Sequence, residues 1–294
     1  MTEDVLISGA TGFIGCHVLQ ALSTREPIAL VRTPPDGSFR HRHVVGDLLD
    51  PTLARVLPRR VGGVLHLGGM VGAECETDPA RAWEINVNAT RRLLEYARGA
   101  GARVFVFAST GSVYSPTSEV LFETAPTSPV GVYARTKLEG ERLCREYSDD
   151  LCCVSLRFFF PYGPGQIRGI VHRILERLKD GRPVSARASD GGPLVNPIYI
   201  DDAATAAVRA LSSRPSMAVN VAGEDVVTAR DLAMLAGRQL GVDPEFEEPR
   251  GEIDRNWVAD TRRLRTELDV SPQIGLQEGL ARVVAARRID HGAT

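Results

Sequence analysis

Tyr133 and Lys137 stand four residues apart in Tyr133-Ala134-Arg135-Thr136-Lys137, a spacing that stacks a phenol and an amine on one face of a helix. A free phenol ionises at about pH 10, so it exchanges protons near neutrality only with the help of a nearby cation. Lysine supplies a compact charge and a movable proton, whereas arginine supplies a fixed planar fork. The chain carries 35 Lys plus Arg, yet lysine occurs only at positions 137 and 179. One of two lysines in an arginine-rich chain therefore falls where it could tune a tyrosine.

A second constellation is Gly9-Ala10-Thr11-Gly12-Phe13-Ile14-Gly15, between a strand-like Val5–Ser8 and a helical stretch running to about Leu22. Glycines at a strand-to-helix turn let backbone amides approach a pyrophosphate, which side chains at those positions would block. Gly9, Thr11, Gly12, Phe13, Ile14 and Gly15 are thus expected to hold a dinucleotide. The second strand ends Leu30-Val31-Arg32-Thr33 and meets no acid until Asp36. An acid there would bind the ribose hydroxyls of NAD, while an arginine suits the 2′-phosphate of NADP. Arg32 favours NADP (as NADPH), with NAD the alternative. Asp47 and Leu48, after a third short strand, are expected near the adenine, or Asp47 caps the next helix.

These groups need elements to position them. Strand-like and helix-like stretches alternate, which predicts an α/β fold with a parallel sheet. Further strands are expected at 28–31, 43–45, 64–67, 103–108 and 152–156, with helices at 83–98 and 133–147. After Arg157 the rhythm changes: loop chemistry at 160–165, a helix at 170–179, a short strand at 198–200, a helix at 201–211, a strand at 218–221 and a mostly helical end.

Composition narrows the function. At 294 residues with a formal net charge of −2, the chain can bury a large core and has no basic excess for nucleic acid or a membrane surface. No apolar run is long enough to span a bilayer, and Met1-Thr2-Glu3-Asp4 lacks the basic start of a secretory signal. Five cysteines without a C-x-x-C predict free thiols in a reducing cytoplasm and no metal site.

Taken together these residues resemble the extended short-chain dehydrogenase/reductase family in its NAD-dependent epimerase/dehydratase branch. The motifs are Gly9/Gly12/Gly15, Asp47-Leu48, His66-Leu67-Gly68-Gly69, Asn86-Val87, Ser109-Thr110, Tyr133 with Lys137, Leu156-Arg157, Pro161-Tyr162-Gly163-Pro164-Gly165, Tyr199-Ile200-Asp201-Asp202 and Asp260. The resemblance implies a Rossmann-type, doubly wound parallel sheet in residues 1–160, joined by about 196–222. A smaller, interleaved substrate-binding domain would comprise 161–195 and 223–294. It adds Leu67, Gly68, Ser109 and Phe160 to the expected cofactor contacts. Thr110, Tyr133 and Lys137 become the expected catalytic residues, with Thr110 on the substrate oxygen, Tyr133 moving the proton and Lys137 holding the nicotinamide ribose. Ser112, Asn196, Arg168 and Arg250 are the expected substrate contacts, and a homodimer through the helices near 83–98 and 133–147 is implied.

Two departures shape the functional expectation. Family members that dehydrate nucleotide sugars have an Asp-Glu pair where this chain has Gly111-Ser112, so 4,6-dehydration is not expected. Members that grip a sugar-nucleotide pyrophosphate often have an arginine where this chain has Val195. The leading expectation is an NADPH-dependent keto-reductase acting on a nucleotide-activated deoxysugar. The alternatives are an NAD-dependent nucleotide-sugar epimerase, reduction of a non-sugar natural-product ketone, and lastly a non-catalytic, NADP-sensing protein.

Overall fold

β1 (Val5–Ser8), β4 (Gly63–His66) and β5 (Val104–Thr110) are buried at every residue, as strands covered on both faces must be. The computed structural model describes residues 4–22, 26–115, 117–249 and 255–292. With β2 (Pro27–Val31), β3 (Arg42–Val45), β6 (Cys152–Phe158) and β8 (Met217–Val221) these strands form a seven-stranded sheet in the order β3-β2-β1-β4-β5-β6-β8. Every neighbouring pair is parallel. The strand order reverses between β1 and β4, so their C-terminal ends border the crevice where open α/β sheets bind ligands.

Alternation along each strand divides the core. Val5, Ile7, Val104 and Val106 enter one apolar cluster, whereas Leu6, Phe105 and Phe107 enter the cluster on the opposite face. α1 (Phe13–Ala21) leaves the first crossover and packs on α7 (Ile200–Ala210), whose buried Ala203, Ala204, Ala206, Ala207 and Ala210 permit close approach. After β4 come α2 (Ala73–Thr77) and a helical run made of α3 (Pro79–Trp83), a wide turn at Glu84–Asn88 and α4 (Ala89–Gly99). The Asp78 carboxylate accepts from the Arg81 amide at 3.0 Å and, with Pro79 at the first position, starts that run. It begins four residues earlier than the apolar pattern from Trp83 predicts. α5 (Gly131–Glu146) lies against β5 and β6 and carries Tyr133 and Lys137.

The remaining elements are α6 (Ile170–Lys179), β7 (Val184–Ser185), α8 (Ala229–Leu240), β9 (Phe246–Glu247), α9 (Arg262–Leu268) and α10 (Leu276–Gly292), and α9 packs against β8 and α7. β7 and β9 form a separate two-stranded parallel sheet. The strand expected at 198–200 is absent. Tyr199 makes one isolated bridge to Tyr162, and Ile200 already begins α7, where Asp201 and Asp202 suit the positive end of the helix. β8, by contrast, returns to the main sheet beside β6 as its apolar pattern predicts.

Candidate active site

The glycine loop after β1 is crowded by backbone. Gly9 has φ +70°, and a Cβ there would lie 2.5 Å from the Gly68 nitrogen and 2.7 Å from the Leu67 carbonyl carbon. At Gly15 a Cβ would lie 2.1 Å from the Gly9 oxygen. The loops after β1 and β4 therefore approach main chain to main chain at Gly9 and Gly68. Gly12 begins α1 without a side-chain cap and no acid lies in the first turn, so the helix N-terminal amides remain available to an anion. Thr11 is exposed at the rim, while Phe13 and Ile14 are half-buried and pack the helix onto the core. This combination fits a dinucleotide pyrophosphate.

A buried polar chain underlies the cradle. His66 lies with Nδ1 2.5 Å from the Ser8 hydroxyl and Nε2 3.0 Å from the Thr90 hydroxyl, and the Gly68 amide donates to Ser8 Oγ at 3.2 Å. Burial, assisted by the charge of Lys137, pushes His66 down to about 3, so it stays neutral and ties the ends of β1 and β4 together. Leu48 reaches Gly68, where a Cβ would lie 2.8 Å from its Cδ1. Asp47 accepts from the Leu49 amide at 2.9 Å and closes its own turn; the next helical turn, Leu53–Arg55, starts from Thr52, so Asp47 does not cap it. Arg32 is exposed at the end of β2. Asp36 is engaged by the Ser38 amide and hydroxyl at 2.9 and 2.5 Å, within its own loop.

Thr110, Tyr133 and Lys137 come together at the C-terminal end of β5. The Thr110 hydroxyl accepts from the Ser112 amide at 3.2 Å and lies near enough to the Tyr133 phenol to favour its ionised form. Burial pushes that phenol up to about 12, and the Thr110 contact opposes the rise only in part. Lys137 is buried, and its ammonium donates to the Ala108 carbonyl at 2.9 Å and stands 4.9 Å from the Phe107 ring centre. Desolvation pulls it down to about 8. Its hydrogen bond thus goes to β5 and not to the phenol, and its charge also borders Gly69, where a Cβ would lie 3.1 Å from Nζ. Ser112 sits beside Thr110, with the two hydroxyls 3.3 Å apart.

Other expected contacts are placed differently. The Ser109 hydroxyl donates to Glu141 at 2.5 Å and is occupied within the core. Asn196 is buried, its amide donating to Gly223 and Ala259 carbonyls at 3.2 and 2.9 Å and accepting from the Ala259 amide at 3.0 Å. Its polar atoms are satisfied by the fold, which gives it a structural task in place of the expected substrate contact. Arg168 is exposed and pairs with Glu74 at 2.6 Å. Arg250 lies outside the described residues. Phe160 is half-buried with φ +45°, a left-handed conformation that bulky residues rarely adopt, two residues past the Phe158 that pairs with Thr110.

Three supports were not among the expected site residues. Asn86, in the wide turn at 84–88, accepts from the Met70 amide at 2.8 Å and donates to Met70 oxygen and Thr136 Oγ1, each at 3.0 Å. It pins the loop after β4 to α5, and its family motif was the available signal. Glu141 takes a bidentate grip from Arg157 at 2.9 and 2.7 Å, with both side chains nearly inaccessible. Its position one turn past Lys137 on the helix was the only clue. Cys75 of α2 is buried near Tyr133 and Lys137, and burial raises its thiol so that it stays neutral.

A dinucleotide cradle at the switch point, followed by a tyrosine and a buried lysine on the helix after β5, is the arrangement of an extended short-chain dehydrogenase/reductase. The description "NAD dependent epimerase/dehydratase family" matches residues 5–222, and the chain belongs to that family. It is 30% identical to the UDP-glucose 4-epimerase of Mycolicibacterium smegmatis, over 95% of this chain and 96% of that one. It is likewise 30% identical to the GDP-6-deoxy-D-mannose reductase of Pseudomonas aeruginosa, over 90% and 88%. Among solved structures, MoeE5 in complex with UDP-glucuronic acid and NAD superposes with a TM-score of 0.86 at 30% identity, covering 98% of this chain and 99% of that one. The protein is an enzyme of the short-chain dehydrogenase/reductase type. No helix among the described residues is long and apolar enough to cross a membrane.

Proposed function

We propose that the protein interconverts a secondary alcohol and a ketone on a nucleotide-activated sugar, and that it does so as an epimerase. The observation that carries this is a single candidate proton-transfer group, the Tyr133 phenol beside Thr110, with Gly111-Ser112 where a dehydratase would carry an acid pair. An epimerase removes hydrogen from one carbon and returns it to the opposite face, so one phenol that gives back the proton it takes is enough. A nicotinamide held in the cradle would supply the hydride acceptor and donor. Thr110 would orient the sugar oxygen towards Tyr133, and Lys137 would hold a cofactor ribose hydroxyl and add positive charge near the phenol. A 4,6-dehydratase needs a further acid and base. Here Gly111 is pressed against the Phe159 ring, which a Cβ would approach to 2.6 Å, leaving no space for an acid at that position. The two named relatives are an epimerase and a reductase of nucleotide sugars, and MoeE5 is seen with UDP-glucuronic acid and NAD, which supports the substrate class.

The second reading is the keto-reductase with NADPH, and Arg32 favours it. With Asp36 engaged by Ser38, no acid at the end of β2 is free to take the ribose hydroxyls. Heat-denatured protein assayed for released cofactor separates the two. Stoichiometric NAD supports the epimerase. Cofactor-free protein that oxidises NADPH with a keto-sugar nucleotide replaces it with the reductase. We also propose a homodimer through α4 and α5, in the cytoplasm. Trp83, 44% exposed at the C-terminal end of α3, would be covered, and sedimentation at two concentrations tests it.

A further inference from the structure

α5 begins without a cap of its own. Its N-cap residue is Val130, whose side chain has no acceptor, and the amides of the first turn must find partners elsewhere. One partner comes from a different element. The Glu76 carboxylate of α2 accepts from the Val132 amide at 2.6 Å. Gly131 makes room for it: φ is +83°, and a Cβ would lie 2.7 Å from Glu76 Oε1. Val132 immediately precedes Tyr133.

α2 is in turn fixed on both sides of Glu76. Cys75 is fully buried, with the Asn86 amide nitrogen 4.0 Å from its sulfur, and Glu74 pairs with Arg168 from the loop after β6. Three consecutive residues of a five-residue helix therefore reach the loop beyond β6, the interior beside Tyr133 and Lys137, and the start of α5. We propose that Glu76 is a positioning residue, setting the first turn of α5 and with it the place of the Tyr133 phenol against Thr110. The role rests on Tyr133 being the proton-transfer group. It requires an acceptor oxygen at position 76 and no charge, because the partner is a neutral amide.

Glu76→Ala, Glu76→Gln and Tyr133→Phe, measured side by side, test this. Glu76→Ala is expected to lower kcat about tenfold while the KM for the nucleotide-sugar substrate stays within about twofold, the pattern of a lost alignment without lost binding. Amide exchange over residues 131–135 is expected to quicken in Glu76→Ala, a readout independent of substrate. Glu76→Gln keeps an acceptor and is expected to restore both. Wild-type kcat and exchange in Glu76→Ala overturn the role, as does a Gln variant as impaired as the Ala variant. If Glu76→Ala fails to fold, Gly131→Ala, which drives the carboxylate away, must reproduce the fall in kcat, and wild-type activity there overturns the role. Activity surviving in Tyr133→Phe overturns this inference and the proposed function together. Activity lost there but retained in Glu76→Ala overturns the positioning role alone.

Discussion

The two walls of the crevice are built on opposite terms. On the cofactor side the loops after β1 and β4 meet backbone to backbone at Gly9 and Gly68, above a buried, neutral His66. On the other side the contacts are exposed side-chain pairs, Glu74 with Arg168, and a strained turn at Phe160. Backbone contacts leave no tolerance, whereas exposed ion pairs are worth little and re-form easily. One wall can serve a constant ligand and the other can be retuned for different substrates.

Experiments that break this contrast fall in order of size. Tyr133→Phe stands between the walls and is expected to reduce turnover about 10³-fold with cofactor binding unchanged, read by kinetics and cofactor titration. Arg157→Leu leaves the Glu141 carboxylate buried and unpaired beside Ser109 and is expected to cost about 3–5 kcal/mol, measured by urea unfolding. Gly9→Ala must place a Cβ against main chain at a positive φ. It is expected to weaken cofactor binding by about tenfold or more, and unchanged affinity would show the cradle to be looser than its contacts imply.

Lys137 gives a prediction with a pH window. Its folded-state value is pulled down to about 8 from the ordinary 10.5, so above pH 8 the unfolded chain binds the additional proton. Stability therefore rises with pH between about 8 and 10.5 from this group, and below about 8 its burial penalty is fully present. The difference in melting temperature between the native chain and Lys137→Met should change across that window and be flat below it. The smallest effect belongs to the outer wall. Glu74→Gln removes one exposed partner and is expected to change stability by less than about 1 kcal/mol, in line with a wall that can be rebuilt.

What could be read from the chain follows the same division. Gly9, Gly12 and Gly15 were legible because a steric demand on backbone leaves a trace in residue type. Tyr133 and Lys137 were legible because one helix carries both. Ser109 and Asn196 carry family-motif identities, but their tasks depend on Glu141 and on Gly223 and Ala259, partners distant in sequence. Glu76 was invisible for the same reason: nothing local says that its carboxylate ends on an amide 56 residues away. The strand expected at 198–200 failed because apolar residues entering a buried helix read like a short strand, and the two acids after Tyr199 were the discriminating signal.

The scarcity of lysine also makes the chain a spectroscopist's convenience. Reductive methylation with isotopically labelled formaldehyde would mark only two side chains, one of them Lys137 beneath the Ala108 carbonyl. Its methyl resonance, resolved without any mutation, would report on cofactor arrival, proton loss and helix movement from inside the crevice.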